Sequence, residues 1–400
     1  MKITGIIAEY NPFHNGHAYQ IQAARDSGAT HVVCIMSGNF TQRGDCAVMD
    51  KLARTRCALE NGADLVIELP VAYALGNASV FAKGAVETLV ATGCIDELHF
   101  GSECGDIHAL MDTAMAIESL ESRHLIDTKE TSAAAARTIA LAENGYHKEA
   151  EILASPNNLL GVEYLLALRR RYSHTQPQTI LRDGAAHDGT DNSETICSAS
   201  QLRKLLTEAP ETALPFAPDE TMAIFAERKK EGQAPIHLKQ LNTALLSRLR
   251  MVDTGYLARI AGVSEGLENR LYDAIRHARS YEEICTAVKT KRYPLARIRR
   301  ILLCAAIGIT AGDQALAPAY IRVLGQNQKG NDVLRIMRQT AKIPLILRSS
   351  DVANLPAEGK RLFRLENLAT DLYTMAFSPM GECGTEYTQN LYSYTKAKSL

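Results

Sequence analysis

Two histidines three residues apart, His14 and His17, stand either side of Gly16 in the run Tyr10-Asn11-Pro12-Phe13-His14-Asn15-Gly16-His17. At i and i+3 of a helix they share a face, so both imidazoles can donate to one anion. The glycine leaves the backbone open to close approach, because no Cβ stands in the way. Phosphate suits such a site, since fixed donors stabilise the charge that develops when an α-phosphate is attacked. A second run, Ser198-Ala199-Ser200-Gln201-Leu202-Arg203, places hydroxyls at a helix start and a guanidinium one turn on, which makes an anion nest. Each pattern has a plainer reading as well: histidines that only cap a helix, and a serine N-cap beside a solvated arginine.

Context argues for the phosphate reading. Lys2–Glu9 carries Ile3, Ile6 and Ile7 and predicts a buried first strand, which Asn11-Pro12 ends because proline cannot donate to a ladder. A helix is expected from Ala18 to about Asp26. Strands follow at Thr30–Ser37, Asp64–Leu69, Glu97–Phe100 and Gln178–Arg182, with helices at Asp50–Asn61, Ala78–Ala91 and Gly161–Tyr172, and two or three more between 105 and 155. Alternating strands and helices with continuously apolar strands predict an α/β fold with a Rossmann-like, doubly wound parallel sheet. Ligands of such sheets lie beyond the carboxyl ends of the strands, an edge that collects residues 9–17, 38–45, 70–73 and 101–103.

Three prolines in Pro210–Asp219 suggest a boundary, giving a catalytic domain over 1–208 and a mostly helical domain over 209–316. Within the latter, Lys289–Arg300 holds Lys289, Lys291, Arg292, Arg297, Arg299 and Arg300, with Tyr293 and no acidic side chain. A polyanion would neutralise their mutual repulsion, which makes this a candidate RNA surface; a solvated helix face is the alternative. Residues 317–400 read as a small α/β segment, either a cap or a continuation of the core.

Composition narrows the rest. An apolar fraction of 46% and net charge of −1 over 400 residues describe an ordinary globular protein, so any RNA surface must be a local patch. The nine cysteines include no CxxC pair or zinc spacing, and the chain opens on a strand, which together suggest a cytoplasmic protein. No apolar run is long enough to span a bilayer. No metal site is expected.

The HxGH run after a first strand resembles the signature of the nucleotidyltransferase superfamily, and Ser198–Arg203 resembles its ISSTxIR signature. In the second, Ser198 and Arg203 match, Ser200 replaces threonine, and Ala199 lacks one hydroxyl. Longer strings are more specific. GIIAEYNPFHNGHAYQI, MSGNFTQRGDCAVMDKLARTRCALENGADLVIELP, FGSE, PNNLLGVEYLLAL and YIRVLGQNQKG are similar to the tRNA(Met) cytidine acetate ligase family, over most of the chain.

That resemblance implies an enzyme that activates free acetate with ATP as acetyl-adenylate and acetylates the wobble cytidine of elongator tRNA(Met), without acetyl-CoA. It implies catalysis by His14 and His17, and nucleotide binding by the turn Ile7, Ala8, Glu9, Tyr10, Asn11, Pro12, Phe13, Asn15, Gly16 and Gln20. Gly101, Asn157, Asn158 and Arg182 would join them, with Ser198, Ser200 and Arg203 on the β- and γ-phosphates. The loop Gly38–Asp45 would receive acetate or cytidine, through Asn39, Arg43 and Asp45. Mg2+ is compatible with the ATP chemistry, but no residue indicates it, and no obligate protein partner is evident. The competing readings are an adenylyltransferase for a small metabolite and a degenerate RNA-binding protein.

Overall fold

The computed structural model describes residues 1–127, 133–182, 197–264 and 266–395. The fold is built on one sheet of eight strands: β1 (Ile3–Ala8), β2 (His31–Ser37), β3 (Leu65–Leu69), β4 (Glu97–Ser102), β5 (Gln176–Leu181), β6 (Ile321–Gln326), β7 (Leu345–Ile346) and β8 (Tyr392–Ser393). The order is β5-β4-β1-β2-β3-β6-β7, with β8 also paired to β6. β5 through β3 are mutually parallel, so all five carboxyl ends lie on one edge. The chain leaves β1 towards β2 on one side and β4 lies on the other, so the strand order reverses between β1 and β4. A crevice forms at that switch point.

The central strands β1, β2 and β3 are buried on both faces, which is why they are predominantly apolar. Ile3, Val33, Ile35, Leu65 and Ile67 pack into one core, while Ile6, Val32, Cys34, Met36 and Val66 pack into the other. The period-2 alternation of side chains accounts for this division.

Residues 317–395 continue the core. β6 pairs antiparallel with β3, Leu65 opposite Gln326, and β7 and β8 extend the sheet from there. The parallel sheet therefore has an antiparallel addition at one edge. The Pro210–Phe216 stretch is a 3-10 helix, with Ala213 and Ala217 in the same core as Tyr10, Phe13 and Leu202. The helical region runs from Asp219 to Ala315, close to the expected ranges. Two helices begin earlier than predicted. The first spans Asn15–Asp26, so the histidine run is its opening turn; another spans Pro156–Arg170, with Pro156 at its first position, where a missing N–H costs nothing.

Candidate active site

β1 ends at Ala8 and the chain turns sharply through Tyr10, which holds a left-handed φ of 46° that non-glycine residues rarely adopt. Tight packing sustains it. Tyr10 is 1% exposed, its hydroxyl meets Cys34 Sγ at 3.2 Å, and its ring lies 4.9 Å from Phe13 and 4.8 Å from His17. The turn delivers His14 as the N-cap of the helix Asn15–Asp26.

The cap is reciprocal. His14 Nδ1 accepts the Gly16 N–H at 3.1 Å, and His17 Nδ1 accepts the His14 N–H at 3.2 Å. A nitrogen that accepts carries no proton, so each neutral ring holds its hydrogen on Nε2. The rings stack, centroids 3.7 Å apart and 25° between planes, which sets two Nε2–H donors side by side. Burial, helped by the charges of Arg182 and Arg203, pushes His14 down to about 3. Burial, then the neighbouring His14 and Arg182, moves His17 well below its ordinary value. The capping role and the donor role are therefore one arrangement. Capping uses Nδ1 and leaves Nε2–H for a ligand.

Two guanidiniums flank the pair. Arg203 donates to Asn11 O at 2.7 Å and to Ser200 Oγ at 3.3 Å, tying the second signature to the first turn. Ser198 caps the helix Ala199–Glu208 by accepting the Gln201 N–H at 3.2 Å. Ile196 and the loop 183–194, which lead into this signature, lie outside the described residues. Arg182 follows β5 and donates to Asn157 Oδ1 at 3.1 Å. A Cβ at Gly101 would lie 2.9 Å from Arg182 Cγ, so the glycine makes room for the arginine stem over the end of β4.

Several expected contacts are spoken for within the protein. Asn158 is 3% exposed, and its Oδ1 accepts the N–H groups of Glu103 and Cys104 at 2.8 and 3.1 Å. Glu103 in turn accepts the backbone N–H groups of Asn157 and Asn158 and the Asn157 amide, so the positive end of that helix already faces a carboxylate. Gln20 donates to His99 O at 3.1 Å, fastening the first helix to β4. Asn39 does not face the crevice. It is 2% exposed, accepts the Lys51 N–H at 2.9 Å and donates to Thr370 at 3.0 Å, because the loop needs an internal tie there. Ile7 and Ala8 complete the strand end, with Ile7 buried in the core.

The loop Gly38–Asp45 forms the far wall, with Arg43 exposed and Asp45 half-buried. Gln42 N–H donates to Glu9 Oε1 at 2.6 Å, and Gln42 O accepts from Arg300 at 2.8 Å. Gly44 has φ +72°, and a Cβ there would meet Arg300 N at 2.6 Å. The loop is thus pressed onto the basic helix Leu295–Ile307. That contact divides the six cations. Arg300 holds the loop, Arg297 donates to Gly262 O and Ser264 Oγ at 3.1 Å, and Arg299 faces Glu282 at 3.5 Å. Lys289, Lys291 and Arg292 are exposed, with Arg292 and Arg297 stacked against Tyr293.

Sequence reasoning passed over Arg54. This fully buried guanidinium donates to the carbonyls of Met49, Glu9, Ser37 and Gly38 and so clamps the ends of β1 and β2. Its signal was a cation among small apolar residues on the helix Lys51–Glu60. His237 was also missed; it lies within the fields of Asp45 and Arg203.

Two neutral donors and two guanidiniums at the switch point of a parallel sheet can hold a triphosphate and stabilise charge at its α-phosphorus. Fold and site together define a nucleotidyltransferase. The family model described as HIGH Nucleotidyl Transferase matches residues 1–387. The tRNA(Met) cytidine acetate ligase of Acetivibrio thermocellus is 39% identical over 412 residues, covering 98% of this chain and 99% of the relative. The crystal structure of Thermotoga maritima TmcAL bound with alpha-thio ATP has a TM-score of 0.89 at 32% identity, covering 98% of this chain and 100% of that one. The apo form of that protein gives 0.91 at 33% identity, covering 99% and 100%. The chain belongs to the HIGH nucleotidyltransferases, in the tRNA(Met) cytidine acetate ligase family.

Proposed function

We propose that this protein is a cytoplasmic ligase that converts ATP and acetate to acetyl-adenylate and pyrophosphate, then acetylates the wobble cytidine of elongator tRNA(Met) to N4-acetylcytidine. The observation that carries the reading is the pair of Nε2–H donors at His14 and His17, between Arg182 and Arg203, in a chain similar to such ligases along almost its whole length.

Acetate is a poor acyl donor, because oxide is a bad leaving group. Attack of its carboxylate on the α-phosphorus makes a mixed anhydride whose leaving group is AMP. That step requires charge stabilisation more than a covalent nucleophile. His14 and His17 donate to the α-phosphate oxygens, and Arg203 with Ser198 and Ser200 takes the β- and γ-phosphates. Arg182 guards the β4 side. Neutral histidines suit the task, because donors that are already desolvated need no reorganisation as charge moves.

In the second step the exocyclic amine of an unstacked cytidine attacks the acetyl carbon, and positioning dominates. Arg43 and Asp45 orient acetate or the base. Lys289, Lys291 and Arg292 contact the RNA backbone beside the loop, while Arg300 carries the loop itself. Among the described residues no helix is long and apolar enough to cross a membrane. The test is incubation with ATP, labelled acetate and tRNA(Met), with the nucleosides analysed by mass spectrometry.

A further inference from the structure

We propose that Glu9 is the proton acceptor of the acyl-transfer step, taking the proton that the attacking exocyclic amine must lose; this rests on the acetyl-transfer reading above. Glu9 follows β1 directly and stands between the histidine turn and the loop Gly38–Asp45. It is fixed at both ends: Oε1 accepts the Gln42 N–H at 2.6 Å, and its backbone carbonyl accepts from Arg54 at 2.6 Å.

The other groups of the crevice are unsuited to the task. Both histidines use Nδ1 as an acceptor and carry a proton on Nε2, so neither offers a free basic nitrogen. Glu103 spends both oxygens on Asn157 and Asn158. Asp45 binds the Cys46 N–H at 2.9 Å and lies towards Arg203 and His237. The groups facing Glu9 are Arg43 from the loop, Arg54 from Lys51–Glu60, Arg203 from Ala199–Glu208 and Tyr164 from Pro156–Arg170. Burial raises its carboxyl above 4.5, against the Gln42 N–H and the three arginines. It is a stronger proton acceptor than a solvated carboxylate.

The step balances without a co-reactant. The N4 lone pair bonds to the acetyl carbonyl carbon, and the bond from that carbon to the AMP oxygen breaks, with the electron pair leaving on AMP. The N4 proton passes to the Glu9 carboxylate and from there to water.

Glu9→Gln separates the proton role from the structural one, because glutamine still accepts the Gln42 N–H through its oxygen but cannot take a proton. With the full-length enzyme, acetate-dependent pyrophosphate exchange reports adenylation, and single-turnover labelling of tRNA(Met) reports transfer. The ratio of transfer to exchange is expected to fall about 100-fold in Glu9→Gln. The rise of transfer rate with pH through the titration of Glu9 is expected to disappear. An unchanged ratio in Glu9→Gln overturns the assignment. Failure of the unaltered enzyme to form acetylcytidine overturns the underlying reading, and is seen before any variant is compared.

Discussion

His14 and His17 reach a nucleotide as neutral donors, and their titration follows from that state. Folding lowers both, so the neutral form belongs to the folded protein and the protonated form favours unfolding. Their contribution is fully present above the unfolded value of 6.5 and is lost as pH falls from there towards 3. Adenylation is therefore expected to show no histidine-like limb between pH 6.5 and 8, and thermal stability to decline below pH 6.5. A pyrophosphate-exchange profile and melting curves against pH check both. His14→Ala and His17→Ala should each lower adenylation at least about 100-fold, as the loss of one oxyanion donor does. The lost cap costs about 1 kcal/mol, so circular dichroism should show a folded variant. The spacing of the histidines was legible in the sequence. Their tautomers were not, because those depend on backbone N–H groups positioned by the unusual turn at Tyr10.

The elements around the site were legible where local pattern governs them. Five parallel strands, their intervening helices and the helical region between 219 and 315 follow apolar periodicity and proline or glycine punctuation, so they emerge close to their predicted limits. What pattern could not reveal was the pairing of β6 with β3, which joins residues 65 and 326 and so falls within no local window. The basic stretch Lys289–Arg300 was equally half-read. Its cations are adjacent in sequence, yet Arg300 and Arg297 turn inward to backbone carbonyls while Lys289, Lys291 and Arg292 face solvent. Reversing those three exposed charges should weaken tRNA binding at least about tenfold at low salt, and should flatten its salt dependence by roughly one unit for each phosphate no longer neutralised. Adenylation should persist. Titration of labelled tRNA at several salt concentrations decides, and unchanged affinity would show that the RNA does not lie on this surface.

At the scale of the molecule, the N-terminal sheet and the C-terminal segment are joined by charges buried at their boundary. Lys51 Nζ lies 2.5 Å from Glu68, 2.6 Å from Glu386 and 3.4 Å from Glu366, and Arg322 pairs with Glu68 at 2.9 Å and also with Glu386. Two cations serve three carboxylates. Burial and then Glu68 push Glu366 up, while Lys51 and Arg322 hold Glu386 down against the upward push of burial. A protonated Glu366 leaves the cluster neutral. Lys51→Met should cost about 3–5 kcal/mol, because it strands buried carboxylates. Glu366→Gln should cost far less near neutral pH, since it mimics the protonated acid. Because folding raises Glu366, its contribution is fully present below the ordinary value of 4.5 and is lost as pH rises above it. Chemical denaturation of the two variants, and of the unaltered chain on either side of that value, tests this.

The central claim is that a nucleotide site of this kind serves an acyl transfer to RNA. Mass spectrometry of tRNA(Met) nucleosides, after incubation of the enzyme with ATP and labelled acetate, tests it most directly. The predicted result is labelled N4-acetylcytidine with AMP and pyrophosphate, formed without acetyl-CoA. Unmodified cytidine, with pyrophosphate released instead in the presence of a small phosphate or carboxylate metabolite, would contradict it.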